Sequence, residues 1–201
     1  LEVGFDDAAL TTADPFPTQV EFLTKQPERY SWCSSWGTDL MKGTDPRRIF
    51  QSAKSILVVI EACYLEGFPP QMQGKFGRAY CNDDRVTRDG SAKKIKNLRS
   101  FLKDNGIDSK VPFEVPHRLA AARAGLGTFG KNNFFYARST ARKSSLINPI
   151  AILLDHEFEP DNPTVTVDCP SFCRNACIAS CPTGAISGGN RIDPRKCISY
   201  L

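Results

Sequence analysis

The segment Cys169-Pro-Ser-Phe-Cys173-Arg-Asn-Ala-Cys177-Ile-Ala-Ser-Cys181-Pro182 carries four thiols at four-residue intervals, and Cys197 follows it. Nothing else in the chain narrows its folding options as far. Side chains this dense and this similar must either cross-link or converge on a metal. Disulfide scaffolds belong to short secreted chains that lack a large apolar core. Here 41% of 201 residues are apolar, enough to bury a sizeable core. The block therefore reads as metal binding in a reducing, cytoplasmic setting.

Soft thiolate ligands suit iron–sulfur clusters and zinc. The close of the block, Cys-x3-Cys-Pro followed by Thr183-Gly184-Ala185-Ile186, matches the close of a bacterial ferredoxin ligand run. Its first two gaps are three residues long, where that run has two. Two ligand sets are open for one [4Fe–4S] cluster. One is Cys169, Cys173, Cys177 and Cys181; the other replaces one of these with Cys197. Zinc is the alternative metal, but zinc knots separate their two hooks by a longer stretch. Cys33, Cys63 and Cys81 are scattered, and read as small buried side chains or loop thiols.

The net charge of +4 is interspersed, so composition does not point to nucleic acid. The basic runs 85–88, 93–96 and 138–143 read as solvated faces. No eighteen-residue apolar run is present, so no membrane span is expected, and no signal peptide is visible. Without an initiator Met, removal of an upstream segment is an expectation. The run 55–60 is continuously apolar and predicts a buried central strand. Helices are predicted from Asp14-Pro15, from Thr44-Asp45-Pro46, over 91–105 with Gly106 as stop, and over 116–124 ended by Gly125. Strands are predicted over 111–115, 133–138 and 148–155. Residues 31–44 read as irregular, and 66–90 as a long loop. Pro160, Asn162 and Pro163 mark a linker over 157–168, dividing a domain of residues 1–160 from a module of 161–201.

Ala124-Gly125-Leu126-Gly127-Thr128-Phe129-Gly130-Lys131-Asn132 holds a G-x-G-x-x-G string. It follows a predicted helix and precedes a strand, the reverse of the dinucleotide fingerprint, so a nicotinamide site is rejected. Walker A spacing is absent as well. Two readings remain. Gly125, Gly127, Gly130 and Asn132 form a tight loop offering N–H groups and Lys131 to an anionic or amide-bearing ligand, or they form a helix cap and a tight turn. His117 and His156 are the only histidines. His117 sits at a helix start, where the neutral form is favoured.

These landmarks, taken in order, resemble the epoxyqueuosine reductases and the related reductive dehalogenases. They are Val3-Gly4-Phe5, Thr11-Thr12-Ala13, Asp45-Pro46-Arg47-Arg48, a strand ending at Tyr64, Gly77-Arg78-Ala79-Tyr80, the AGLGTFGKN loop, the Cys-Pro-Thr-Gly-Ala run and Cys197-Ile198-Ser199-Tyr200-Leu201. The resemblance implies an α+β fold: a nitroreductase-like, cobalamin-binding sheet domain, then a ferredoxin-like [4Fe–4S] module, incomplete at its C-terminus. It implies an oxidoreductase that passes single electrons from the cluster to a corrinoid-type site, with cobalamin or a flavin as candidates for the first domain. An external donor of ferredoxin or flavodoxin type and a small-molecule substrate are implied partners, with tRNA not excluded. The loop 125–132 would lie near the corrinoid, and Cys197 is similar to a family cysteine that helps hold a second cluster. Val111 stands where epoxyqueuosine reductases carry a catalytic aspartate, leaving Glu114 as its substitute. Glu114, His117, Tyr80 and Lys131 are the candidate proton donors. The alternative is an electron-transfer or corrinoid-reducing protein without its own organic substrate.

Overall fold

The computed structural model describes residues 3–35, 37–62, 71, 91–138, 145–163, 169, 171–189 and 191–198. Tyr64, Tyr80, Cys63, Cys81 and most of the predicted 66–90 loop lie outside the described residues.

A four-stranded antiparallel sheet organises the chain, in the order β1-β2-β6-β3. Its strands are β1 (Asp7–Thr12), β2 (Ser55–Ala62), β3 (Ser109–Lys110) and β6 (Ile147–Leu154). β2 is apolar from Ile56 to Ile60 because both its faces are covered. Ile56, Val58 and Ile60 point into a core shared with α5 (His117–Arg123) and Leu126. Leu57 and Val59 point into a second core with Phe5 and Leu102. Leu102 lies on α4 (Ser91–Asp104), which Gly106 ends at φ +76. One buried charge ties this layer together: Glu61, 5% exposed, accepts from Lys94 Nζ at 2.5 Å and from the Ser91 hydroxyl.

The fold is thus mixed α and β, as expected. Three boundaries differ from the reading of the sequence. α1 (Pro17–Lys25) begins after Asp14-Pro15, because Phe16 is taken into the core and Pro17 opens the helix. The turn after Thr44 is a single 3-10 turn (Pro46–Arg48), capped by the Asp45 carboxylate on Arg47 N–H. The predicted strand over 111–115 does not form. Pro112 lacks an N–H for a ladder, and Val111 and Val115 pack into opposite cores. Pairing shifts back to Ser109–Lys110. Residues 31–44, predicted irregular, include α3 (Trp32–Ser35), which follows α2 (Pro27–Tyr30).

The segment read as a linker is bound to the sheet domain over its first residues. Phe158 N–H donates to Ser55 Oγ at 2.9 Å. Asp161 pairs with the open edge of β1, donating its N–H to Leu10 O and accepting from Leu10 N–H. Beyond it lie α6 (Ala176–Ala179), the β7–β8 hairpin (Ile186–Gly188, Arg191–Ile192) and a 3-10 turn at Pro194–Lys196. Arg195 fastens that turn to α2 through Glu28 O and Ser31 Oγ. Among the described residues no helix is long and apolar enough to cross a membrane.

Candidate metal site and adjoining cleft

β4 (Gly127–Phe129) and β5 (Phe135–Ala137) form a hairpin directly after α5. The three loop glycines answer to the chain's own packing. Gly125 closes α5 at φ +76, and a Cβ there would lie 2.1 Å from Asn162 O. At Gly127 it would lie 2.1 Å from Tyr136 O, and at Gly130 2.6 Å from the Tyr136 ring. Asn132 builds the turn: its Nδ2 donates to the Tyr136 hydroxyl at 2.9 Å, and its Oδ1 accepts from Phe134 N–H at 3.1 Å. The helix-cap and tight-turn reading accounts for these four positions without a ligand.

The hairpin tip reaches the cysteine block. Lys131 N–H donates to Cys169 Sγ at 3.2 Å, and Lys131 Nζ donates to Asn175 Oδ1 at 3.3 Å. Asn175 occupies the left-handed region at φ 57, which Asn tolerates, and it opens α6. Cys181 follows α6 at the start of the Pro-Thr-Gly turn. Backbone N–H groups of Ile186, Thr183 and Ala185 and the Thr183 hydroxyl favour its thiolate, bringing its pKa from 9.0 to about 7, with Ile186 contributing most. Small residues after the cysteine do allow this approach, as the sequence implies.

Cys169, Cys173, Cys177, Cys181 and Cys197 are all free thiols of intermediate exposure. Among the described residues no three His, Cys, Asp or Glu side chains are gathered closely enough to hold an ion. The fit to a cluster is therefore one of chemistry. Cys169 and Cys181 sulfurs each accept N–H bonds, the setting of a thiolate ligand.

Beside the hairpin lies a cleft of about 610 Å³. Its walls come from α1, the start of α5, Phe129, Asn133 and, from the cysteine module, Ile192. That volume falls in the range of small-molecule and cofactor sites. Tyr30 also lines it, and burial holds its phenol above its ordinary pKa, so it stays a proton donor. Tyr30 carried no recognisable sequence signal, because a short helix over 27–30 is not legible from periodicity.

His117 borders the same cleft but has both ring nitrogens engaged. Nδ1 accepts from Ala151 N–H at 2.8 Å, and Nε2 donates to Pro112 O at 2.9 Å. These bonds fix the neutral tautomer, so proton donation to a substrate would break a structural bond. Burial lowers its pKa below 6.5, with the Pro112 bond opposing. The unfolded state therefore binds the proton more readily, so this contribution to stability is complete above about pH 6.5 and is lost on acidification toward the folded pKa. His117→Gln is expected to flatten that acid limb in denaturant titrations at pH 5 to 7.5. A limb of unchanged slope would assign it to other groups.

Glu114 is half-buried, with a carboxylate that makes no hydrogen bond or ion pair among the described residues. Its backbone carbonyl lies where a Cβ on Gly43 would be, at 1.8 Å. Val111 packs against the second core. His156 is exposed, and its ring lies against Phe158 with centroids 4.7 Å apart and the planes tilted by 55°.

No protein-family model matches the chain. An epoxyqueuosine reductase of Bacillus anthracis is 30% identical over 208 residues, covering 99% of this chain and 53% of that protein. The Staphylococcus aureus enzyme of that name is 29% identical over 214 residues, with the same coverage of both chains. A solved epoxyqueuosine reductase from Bacillus subtilis, its catalytic-aspartate loop swung out of the active site, superposes with a TM-score of 0.75 at 27% identity, covering 100% of this chain. Sequence and fold support kinship with the epoxyqueuosine reductases. Another epoxyqueuosine reductase, solved with an epoxyqueuosine-modified tRNA-Tyr stem loop, superposes with a TM-score of 0.74 at 26% identity over 100% of this chain and 54% of that one. The chain spans about half the length of the curated relatives it matches.

Proposed function

We propose that this chain is the core of an epoxyqueuosine-reductase-type oxidoreductase acting on modified tRNA. The observation that carries the reading is the superposition, over the whole chain, on an epoxyqueuosine reductase solved with its modified tRNA stem loop. The alternative of a carrier without its own substrate is not favoured, because the relatives matched over 99% of this chain are named as reductases.

In this reading Cys169, Cys173, Cys177 and Cys181 hold a [4Fe–4S] cluster, with Cys197 in the alternative set or in a second cluster. The corrinoid would be held in the cleft that Phe129 and Asn133 line, and Gly125, Gly127, Gly130 and Asn132 shape the hairpin beside it. The cluster supplies single electrons and the corrinoid a strongly reducing centre, while the protein supplies orientation and protons. An external ferredoxin- or flavodoxin-type donor would refill the cluster in the cytoplasm. Glu114 is the leading proton donor, since its carboxylate has no partner among the described residues and the family aspartate position holds Val111. Tyr80 and Lys131 are the other candidates.

The test is anaerobic purification with metal analysis and EPR of dithionite-reduced protein, then turnover of an epoxyqueuosine-modified stem loop. About four irons per chain, cobalt binding and product formation would support the reading. Zinc without iron would overturn it. Glu114→Gln is expected to lower kcat on that stem loop by about 100-fold or more, within the usual range for a general acid. An unchanged kcat would remove Glu114 from the mechanism.

A further inference from the structure

Two separate motifs, the glycine hairpin and the cysteine block, meet at one residue. Lys131 touches the block twice: its backbone N–H donates to Cys169 Sγ at 3.2 Å, and its ammonium donates to Asn175 Oδ1 at 3.3 Å. Asn175 Oδ1 also lies 4.0 Å from Cys173 Sγ. The tip cannot easily move away. Gly130 is pressed against the Tyr136 ring, Asn132 is bonded to Tyr136 and Phe134, and Gly130 N–H donates to Phe134 O at 2.9 Å.

We propose that Lys131 is a positioning residue that couples the β4–β5 hairpin to the cluster and raises the cluster's reduction potential. The proposal rests on the cluster reading above. Its physical basis is charge. Accepting one electron makes a thiolate-bound cluster more negative, and both an N–H bond to a ligand sulfur and a nearby ammonium stabilise the more negative form. The ammonium also orients Asn175 between Cys173 and α6. Proton donation to substrate is then not the main work of Lys131.

The experiment is an EPR-monitored redox titration of the iron-loaded protein, with Lys131→Met, Lys131→Arg and Asn175→Ala alongside the wild type. Lys131→Met is expected to lower the reduced-to-oxidised ratio several-fold at fixed poise, Lys131→Arg to restore it, and Asn175→Ala, which removes the anchor of the ammonium but keeps its charge, to move it less. Amide exchange adds a readout independent of activity: the Lys131 N–H should lose protection when the cluster is chelated out, while the β4–β5 ladder keeps its own. Iron-loaded variants with an unmoved potential and a Lys131 amide indifferent to the cluster would overturn this inference alone. A wild-type protein that binds no iron would overturn the cluster reading, and this inference with it.

Discussion

Cys181→Ala is expected to reduce bound iron from about four per chain to below one and to abolish the reduced EPR signal. The argument starts from the local backbone. Cys181 leaves α6 into a turn whose N–H groups point back at its sulfur, bringing its pKa to about 7. That arrangement favours the thiolate, the form that binds metal. Turnover of the modified stem loop should fall by more than the 10–100-fold typical of losing an outer-shell partner. Thr183→Val removes only one donor to that sulfur, at 3.7 Å, and should keep its iron. Cys197→Ala then decides between the two ligand sets: iron lost together with Cys197 places it in the cluster. Full iron in Cys181→Ala would exclude the set built on Cys169, Cys173, Cys177 and Cys181 and leave the one in which Cys197 replaces Cys181.

Gly127→Val is expected to cost about 3 kcal/mol or more of folding stability, in the range of severe core overpacking. The new Cβ would meet Tyr136 O at 2.1 Å, the Phe135 ring at 2.8 Å and Ala137 Cα at 2.9 Å. Two of these three are backbone atoms of the paired strand, so no rotamer change relieves the overlap. Gly106→Ala is the matched control. It follows α4 at φ +76, unlike Gly127 in strand β4, and nothing lies within 4 Å of its Cβ, so it should cost only about 1–2 kcal/mol, the penalty of the left-handed region. Urea midpoints of the two variants measure the difference. Equal losses would mean that the hairpin tolerates a Cβ and that the glycine loop owes its composition to something other than packing.

The parts of the fold written in local pattern were readable from the chain. β2 reads as buried because its apolar run lacks alternation, and α4 reads as a helix because Ile95, Leu98, Phe101 and Leu102 recur at helical spacing before Gly106, although Phe101 is 61% exposed. The run from Cys181 to Ile186 announces N–H groups close to sulfur, and they are there. What stayed hidden depends on partners distant in sequence. No local signal places β6 between β2 and β3, or turns 111–115 out of a strand so that its two valines serve opposite cores. The G-x-G-x-x-G string misleads for a related reason: it reports close approach of backbone, without saying whether a ligand or Tyr136 is what approaches. Likewise His117 carries the residue type of a proton donor, yet its two partners, Ala151 and Pro112, settle a different use.

Those partners solve a problem of solubility. β6 faces β2 on one side, but on the other β3 pairs only with Leu153 and Leu154. Every second residue of a strand directs its N–H to the same side, so Leu153, Ala151 and Pro149 share the side facing β3. Lys110 pairs with Leu153, the His117 ring takes the Ala151 N–H, and Pro149 has none to offer. An unpaired row of amides is a template for recruiting strands from other molecules. Here an imidazole and a pyrrolidine ring leave no free N–H at Ala151 or Pro149, which removes two of the donors that a strand from another molecule would need to extend the sheet at this edge.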